Sequence, residues 1–277
     1  MSRPVPPASL RIVKLAGYAV HIDIEHAPLA WQKLVKGLPR RQATRPQLTL
    51  RLGGASRKSE DVLTGSGFTL DYGRRELHYP SRTLARWFSG PRDARICHLA
   101  QAALGGIALL YERFGAAADR LLSLHCSGVA TRRGALLFCG PSGRGKSTIA
   151  TKLLRHLPQL HDDQNFLLAS KRDVLHRANK PMCVLCYPSS KYDNRTHFLA
   201  GLFWLKQSPT FGLRNLSTTE AAAKLLSPLI GADRHPQITA RRLELLRGLL
   251  RFTRCQELSF AKDRRGLLRF LKASKVL

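Results

Sequence analysis

Gly140-Pro141-Ser142-Gly143-Arg144-Gly145-Lys146-Ser147-Thr148 is the stretch on which the fold turns. It fits the pattern G-x-x-x-x-G-K-[ST]. An apolar run predicted as a strand, Ala135–Cys139, stands directly before it, and a helix is expected from Lys146 onward. That strand–loop–helix setting matters more than the string itself. Glycines let successive backbone N–H groups curl around a phosphate with no Cβ in the way. A helix N-terminus beyond the loop would add partial positive charge. The nucleotide-binding candidates are therefore Gly140, Ser142, Gly143, Arg144, Gly145, Lys146, Ser147 and Thr148. Lys146 is expected at the β- and γ-phosphate oxygens and the Ser147 hydroxyl on Mg²⁺, so the expected ligands are ATP and Mg²⁺.

Working outward, the position of the acids sorts phosphate-loop classes. Asp162 and Asp163 follow soon after the loop, at the start of or within a strand predicted over Leu160–Leu168. A translocating ATPase places its magnesium acid at the end of a later apolar strand, and no apolar run between Asp163 and Leu277 ends in one. Asn179-Lys180-Pro181-Met182 starts like a guanine-reading motif but lacks the acid that reads the base, and no LSGGQ string occurs. Adjacent carboxylates on a regular strand point to opposite faces. A bulge or strand end would let one hold the metal while the other meets an acceptor hydroxyl, which is nearly all that phosphoryl transfer asks of side chains.

The chain of 277 residues carries 46 Lys and Arg against 18 Asp and Glu, a formal net charge of +28 at 44 % hydrophobic content. There is enough apolar material for a packed core, so a disordered basic tail is excluded. The basic excess runs through the whole chain; compositional bias and an anionic partner (acidic peptide, nucleotide or nucleic acid) both explain it. No apolar run reaches the ~20 residues of a membrane span. Lys14, His21 and Asp23 interrupt the N-terminal region where a secretory signal would be apolar. Six scattered cysteines in a chain this long read as reduced thiols, and the expected location is cytoplasmic.

Short β-type runs at Leu10–Leu15, Ala19–Ile24, Leu48–Leu52 and Phe68–Tyr72 precede a long helix expected from Asp93 to Phe114. Strands are expected at Arg120–Ala130 and Ala135–Cys139 around the turn Arg132-Arg133-Gly134, then at Val174–Arg177 and Phe198–Lys206. A capped helix near Ser217, a helix over Ile238–Phe252, a strand at Glu257–Phe260 and a final basic helix complete the reading. The division is a small α+β, β-rich N-terminal domain with a bridging helix over residues 1–115 and a phosphate-loop α/β domain of mixed sheet and helices over residues 116–277.

Leu124-His125-Cys126-Ser127-Gly128, the turn at Gly134, the phosphate loop and Leu160-His161-Asp162-Asp163, in that order, resemble the C-terminal domain of HPr kinase/phosphorylase. The same order is similar to ATP-dependent phosphoenolpyruvate carboxykinase. The resemblance is specific from about Leu121 to Ser170; the region before it is similar in size to the N-terminal domain of lasso-peptide precursor kinases. It implies a carboxykinase-like fold and a kinase with His125 beside the γ-phosphate, Lys146 and Ser147 on phosphate and magnesium, and base and metal roles shared by the Asp pair. Asp162 is assigned as base and Asp163 as metal ligand. Thr148 stands where HPr kinases often carry Glu, and the Glu-x-Arg-Gly-type segment those enzymes use near their substrate is missing. The implied acceptor is thus a Ser or Thr hydroxyl on another peptide or small protein, as in peptide-modification pathways. A small-molecule kinase of the same fold and a nucleotide-gated module for an anionic partner are the alternatives.

Weaker signals remain. Cys183-Val-Leu-Cys186 has metal-ligand spacing without a second pair and reads as buried strand cysteines. Arg247, Arg251 and Arg254 fall at helical spacing, either as a solvated face or as a dock for an acidic peptide. Arg177, Lys180, Lys191 and Arg195 stand where a lid over the triphosphate could supply a cation.

Overall fold

The computed structural model describes residues 10–15, 18–36, 46, 48–54, 61–65, 67–87, 92–114, 119–162, 164–170, 183–185, 197–226 and 236–277. The chain divides into two compact units, Met1–Leu110 and Tyr111–Leu277, each α/β with a mixed sheet. Asp163, Cys186 and the cations Arg177, Lys180, Lys191 and Arg195 lie outside the described residues, as does the strand expected at Val174–Arg177.

In the first unit the strands are β1 (Leu10–Leu15), β2 (Tyr18–Asp23), β3 (Leu48–Leu52), β4 (Val62–Gly65), β5 (Phe68–Asp71) and β6 (Glu76–Tyr79). They form one sheet in the order β1-β2-β3-β6-β5-β4, with β2, β3 and β6 parallel. Leu48, Leu50 and Leu52 alternate inward along β3. Arg51, on the other face, bridges Asp23 and Glu76 at 3.3 Å each. Helices α1 (Leu29–Lys36), α2 (Ser81–Trp87) and α3 (Arg92–Phe114) complete the described elements of this region. Gly106 of α3 sits so close to the sheet that a Cβ there would stand 2.9 Å from methyls of Leu48 and Leu77.

The second unit has seven strands in the order β10-β9-β7-β8-β11-β13-β12. These are β7 (Asp119–Thr131), β8 (Gly134–Cys139), β9 (Gln164–Ser170), β10 (Cys183–Leu185), β11 (His197–Gln207), β12 (Gly212–Asn215) and β13 (Cys255–Phe260). β8, β11 and β13 run parallel, so all three deliver their C-terminal ends to one edge. Every residue of β8 is buried because helices cover both of its faces. Ala135, Leu137 and Cys139 pack toward α5 (Thr218–Leu226) and α6 (Pro236–Phe252). Leu136 and Phe138 pack toward α4 (Thr148–Leu153) and α7 (Arg264–Ala273). The period of two along one strand thus builds two cores.

Helix starts follow local chemistry. Ser217 and Glu220 form a reciprocal capping box on α5, the Glu220 N–H donating to the Ser217 hydroxyl at 3.2 Å and the Ser217 N–H to the Glu220 carboxylate at 3.0 Å. Those contacts with Ser217, and the Arg214 guanidinium, hold the Glu220 carboxyl down to about 2. Asp263 caps α7 through the Arg265 N–H at 2.9 Å.

Two expectations need correction, and a third holds with a change of helix type. The helix after the phosphate loop does start at Lys146, the Ile149 N–H bonding the Gly145 carbonyl at 2.8 Å, but it turns π-helical over α4, where the Leu154 N–H reaches back to the Ile149 carbonyl at 2.9 Å. The strand expected from Leu160 begins only at Gln164, leaving Asp162 ahead of it. Arg254 lies beyond the end of α6, so Arg247 and Arg251 alone share that helix.

Candidate functional site

The edge where β8, β11 and β13 end is where the phosphate loop sits. Loops at the carboxyl ends of parallel strands are the usual ligand site of such sheets, because successive crossovers leave a crevice there. Gly140 follows β8; the Gln207 side chain at the end of β11 donates to the Gly143 carbonyl at 3.1 Å. The Phe260 ring at the end of β13 packs under Gly145. Lys146 is only 8 % exposed, and its ammonium donates to the carbonyls of Gly140 and Pro141 at 2.9 and 3.2 Å. Loop carbonyls are therefore turned toward side-chain donors. The Ser142 N–H, across a planar trans peptide from the Pro141 carbonyl, points the other way.

The glycines are not equivalent. Gly143 has φ +79° and nothing lies within 4 Å of where a Cβ would stand. Gly145 has φ +91° and a Cβ there would meet Phe260 Cζ at 2.9 Å. Gly143→Ala should then cost only the left-handed strain, about 1 kcal/mol, while its methyl intrudes on the cradle. Gly145→Ala adds overpacking against a buried ring and should cost about 2–4 kcal/mol. Urea melts of the two variants, set beside their nucleotide affinities, read the difference; equal stability losses would refute it.

The open cradle at Gly143 and the buried, loop-anchored ammonium fit a polyphosphate. Ser147 is exposed, and its side chain does not cap its own helix, which leaves the hydroxyl available to a metal ion. Thr148, half-buried, begins α4, and Ser142 and Arg144 are exposed on the loop.

Strand register brings the remaining candidates to this edge. Cys126 of β7 is paired with Cys139, the residue before Gly140, and the preceding β7 residue, His125, is paired with Gln164 of β9. His125 is half-buried at that position. From His125 to Val129, β7 advances four residues while the facing chain advances five, from Gln159 to Gln164. One extra residue is accommodated between Gln159 and Gln164, a β-bulge in the segment that carries Asp162. Bulges re-aim side chains and break simple alternation.

A residue without an obvious sequence signal fixes that bulge. Ser127, fully buried, lies with its hydroxyl 2.7 Å from the Asp162 carbonyl and 2.9 Å from Asp162 Oδ1. One proton is shared between two acceptors of the same residue, which pins both its backbone and its carboxylate. Asn165, also buried, donates to the carbonyls of Cys126 and His161 at 2.8 and 2.9 Å and accepts from the His161 N–H at 3.2 Å. Further along, the Leu160 N–H bonds the Gly128 carbonyl and the Ala130 N–H bonds the Pro158 carbonyl. Asp162 is consequently carried on a stapled segment, which is what a positioned base requires.

Beside the loop, Cys126, Cys139 and Cys255 are buried free thiols in one core cluster. A hydrogen bond with Cys126, together with burial, pushes the Cys139 thiol well above its ordinary range against the pull of Lys146. Burial lifts Cys255 to about 12, with Lys224 opposing. The sign follows: above pH 9 the unfolded chain releases these thiol protons while the folded chain keeps them, so the unfolded state binds fewer protons and stability falls as pH rises. The slope should reach about 1.4 kcal/mol per pH unit per thiol. Urea titrations between about pH 8 and 10 should show the fall, and Cys255→Ala should flatten it; an unchanged slope in that variant would count against this origin.

Among the described residues no helix is long and apolar enough to cross a membrane. No protein-family model matches the chain, and no curated protein matches it. Among solved structures, the HPr(Ser) kinase/phosphatase from Coxiella burnetii is similar over 56 % of this chain and 96 % of its own, at 10 % sequence identity and a TM-score of 0.31. At that score the likeness bears on neither activity nor substrate.

Proposed function

We propose that this chain is an ATP- and Mg²⁺-dependent phosphotransferase of the HPr kinase-like kind, acting on a Ser or Thr hydroxyl of a peptide or small protein. The observation that carries the reading is the meeting, at one sheet edge, of a phosphate loop with a buried lysine and a carboxylate pinned on a bulge. When bound, ATP would supply the γ-phosphoryl group and Mg²⁺ would neutralise the charge developing on it. The loop N–H groups and Lys146 hold the phosphates in place. Ser147 and Asp163, in the roles proposed for them, hold the metal.

Asp162, as the base, takes the proton of the acceptor hydroxyl as that oxygen bonds to the γ-phosphorus; the bond to the β-phosphate bridging oxygen breaks and ADP leaves. Ser127 keeps the Asp162 carboxylate aimed without sharing its charge. His125, beside Gln164 at the same edge, is assigned to the γ-phosphate side.

The test is mass spectrometry of short peptides encoded beside this gene, after incubation with Mg·ATP and the full chain. A phosphoryl gain on Ser or Thr that disappears with Asp162→Asn supports the reading. Nucleotide binding with no phosphorylated peptide would shift it to a small-molecule acceptor or to a nucleotide-gated binding module.

A further inference from the structure

The exposed cations of the second unit are unevenly compensated. Arg214 and Lys224 are engaged by Glu220 and Glu257 on the β12–α5 side. On α7 the situation differs: Arg265, Arg269 and Lys272 recur at i, i+4 and i+7, all exposed, opposite the buried Leu267 and Leu271. Leu267 and Leu271 share one core with Ile149, Leu153 and Leu154, which sets the outward face of α7 beside Lys152 and Arg155, also exposed. Among the described residues none of these five cations is in an ion pair. The carboxylate of Asp263 is taken up by the Arg265 backbone N–H. His156, next in the chain, is pushed below its ordinary value first by burial and then by the charges of Arg264 and Lys272, which puts it within reach of the α7 cations.

We propose that this face, centred on Arg265, Arg269 and Lys272 and flanked by Lys152 and Arg155, docks an acidic segment of the peptide acceptor. The inference rests on the phosphotransferase reading for its purpose, though not for its chemistry. Three features select the occupant. The face starts near the phosphate loop, since α7 follows β13, whose Phe260 packs on Gly145. It ends at the far edge, where Arg133 of the β7–β8 turn bonds the Lys275 carbonyl. A segment lying along it is thus led to the loop. The rise from Arg265 to Arg269 is about 6 Å, close to the ~6.8 Å between alternate side chains of an extended peptide. Single-stranded nucleic acid would call for free stacking rings, and the ring that α7 carries, Phe270, is half-buried and already stacked on Phe211 at 5.8 Å.

The experiment is fluorescence anisotropy of a labelled peptide of alternating Glu and Gly ending in Ser, titrated with the full chain in the absence of nucleotide. Binding should weaken steeply with added NaCl. Arg265→Glu/Arg269→Glu/Lys272→Glu should weaken it at least about tenfold, the neutral Gln triple less, and the α6 control Arg247→Glu/Arg251→Glu less than about twofold. Thermal melts identify any variant that fails to fold, and the Gln triple then decides. Peptide affinity within about twofold of the unmodified chain in a folded α7 triple overturns the proposal. So does an oligonucleotide of equal charge that binds tighter than the peptide. Lys146→Ala separates the two readings: it should bind peptide normally, so lost transfer with intact docking concerns the phosphate loop alone. Transfer to this peptide with unchanged KM in the α7 triple would remove the docking face and leave the kinase standing.

Discussion

Lys146→Met should bind Mg·ATP too weakly to measure by calorimetry and should turn over at about 10²- to 10³-fold lower rate than the unmodified protein. A charge-assisted contact in a partly dry site is worth about 1.5–3 kcal/mol, and this ammonium is the one placed to make several of them. Met is chosen over Ala because the lysine stem is buried and a methionine fills the same volume. Even so, the Gly140 and Pro141 carbonyls lose their donor. Leaving them unsatisfied should cost about 1–3 kcal/mol of stability. The melt should therefore move by a few degrees while nucleotide binding disappears. Undiminished affinity in a folded Lys146→Met would mean that the loop holds no phosphate.

Asp162→Asn should lower kcat by about 10²- to 10⁴-fold with nucleotide affinity nearly unchanged, since it removes a proton acceptor and keeps the shape. Ser127→Ala, which removes the clamp and leaves the base, should fall between that variant and the unmodified protein. The double variant should be no slower than Asp162→Asn alone, because a positioning residue has nothing left to position. Additive losses would instead assign Ser127 a role of its own. Wild-type turnover in Asp162→Asn would transfer the base to another group and remove the central assignment of the mechanism.

What was legible in the chain divides along the range of the interactions. The phosphate loop and its strand can be read because a glycine string and an apolar run are local signals. The capping box at Ser217 and Glu220 is equally local. Ser127 could not be read, because its partner is 35 residues away and a serine on an apolar strand looks like any buried hydroxyl. The bulge was invisible for a related reason. Leu160 and the apolar Phe166–Leu168 suggest one strand across the polar residues between them, and only pairing with β7 shows where the count slips. Helix α1 did carry a signal, Trp31, Leu34 and Val35 at helical spacing. It is short enough for neighbouring β-type runs to obscure it. Arg254 shows the opposite error: a periodic pattern continued past Phe252 because charge spacing alone does not mark where a helix stops.

The cluster of protonated thiols has an electrostatic consequence for the loop. Cys139 borders Gly140, and being neutral it offers Lys146 no resident counter-ion; carbonyl dipoles are what hold that ammonium. The loop thus carries a buried positive charge held by dipoles alone, with no carboxylate among the described residues bonded to it. A carboxylate at position 139 would supply an internal anion permanently, silencing the loop by neutralisation without altering any side chain expected to meet a phosphate.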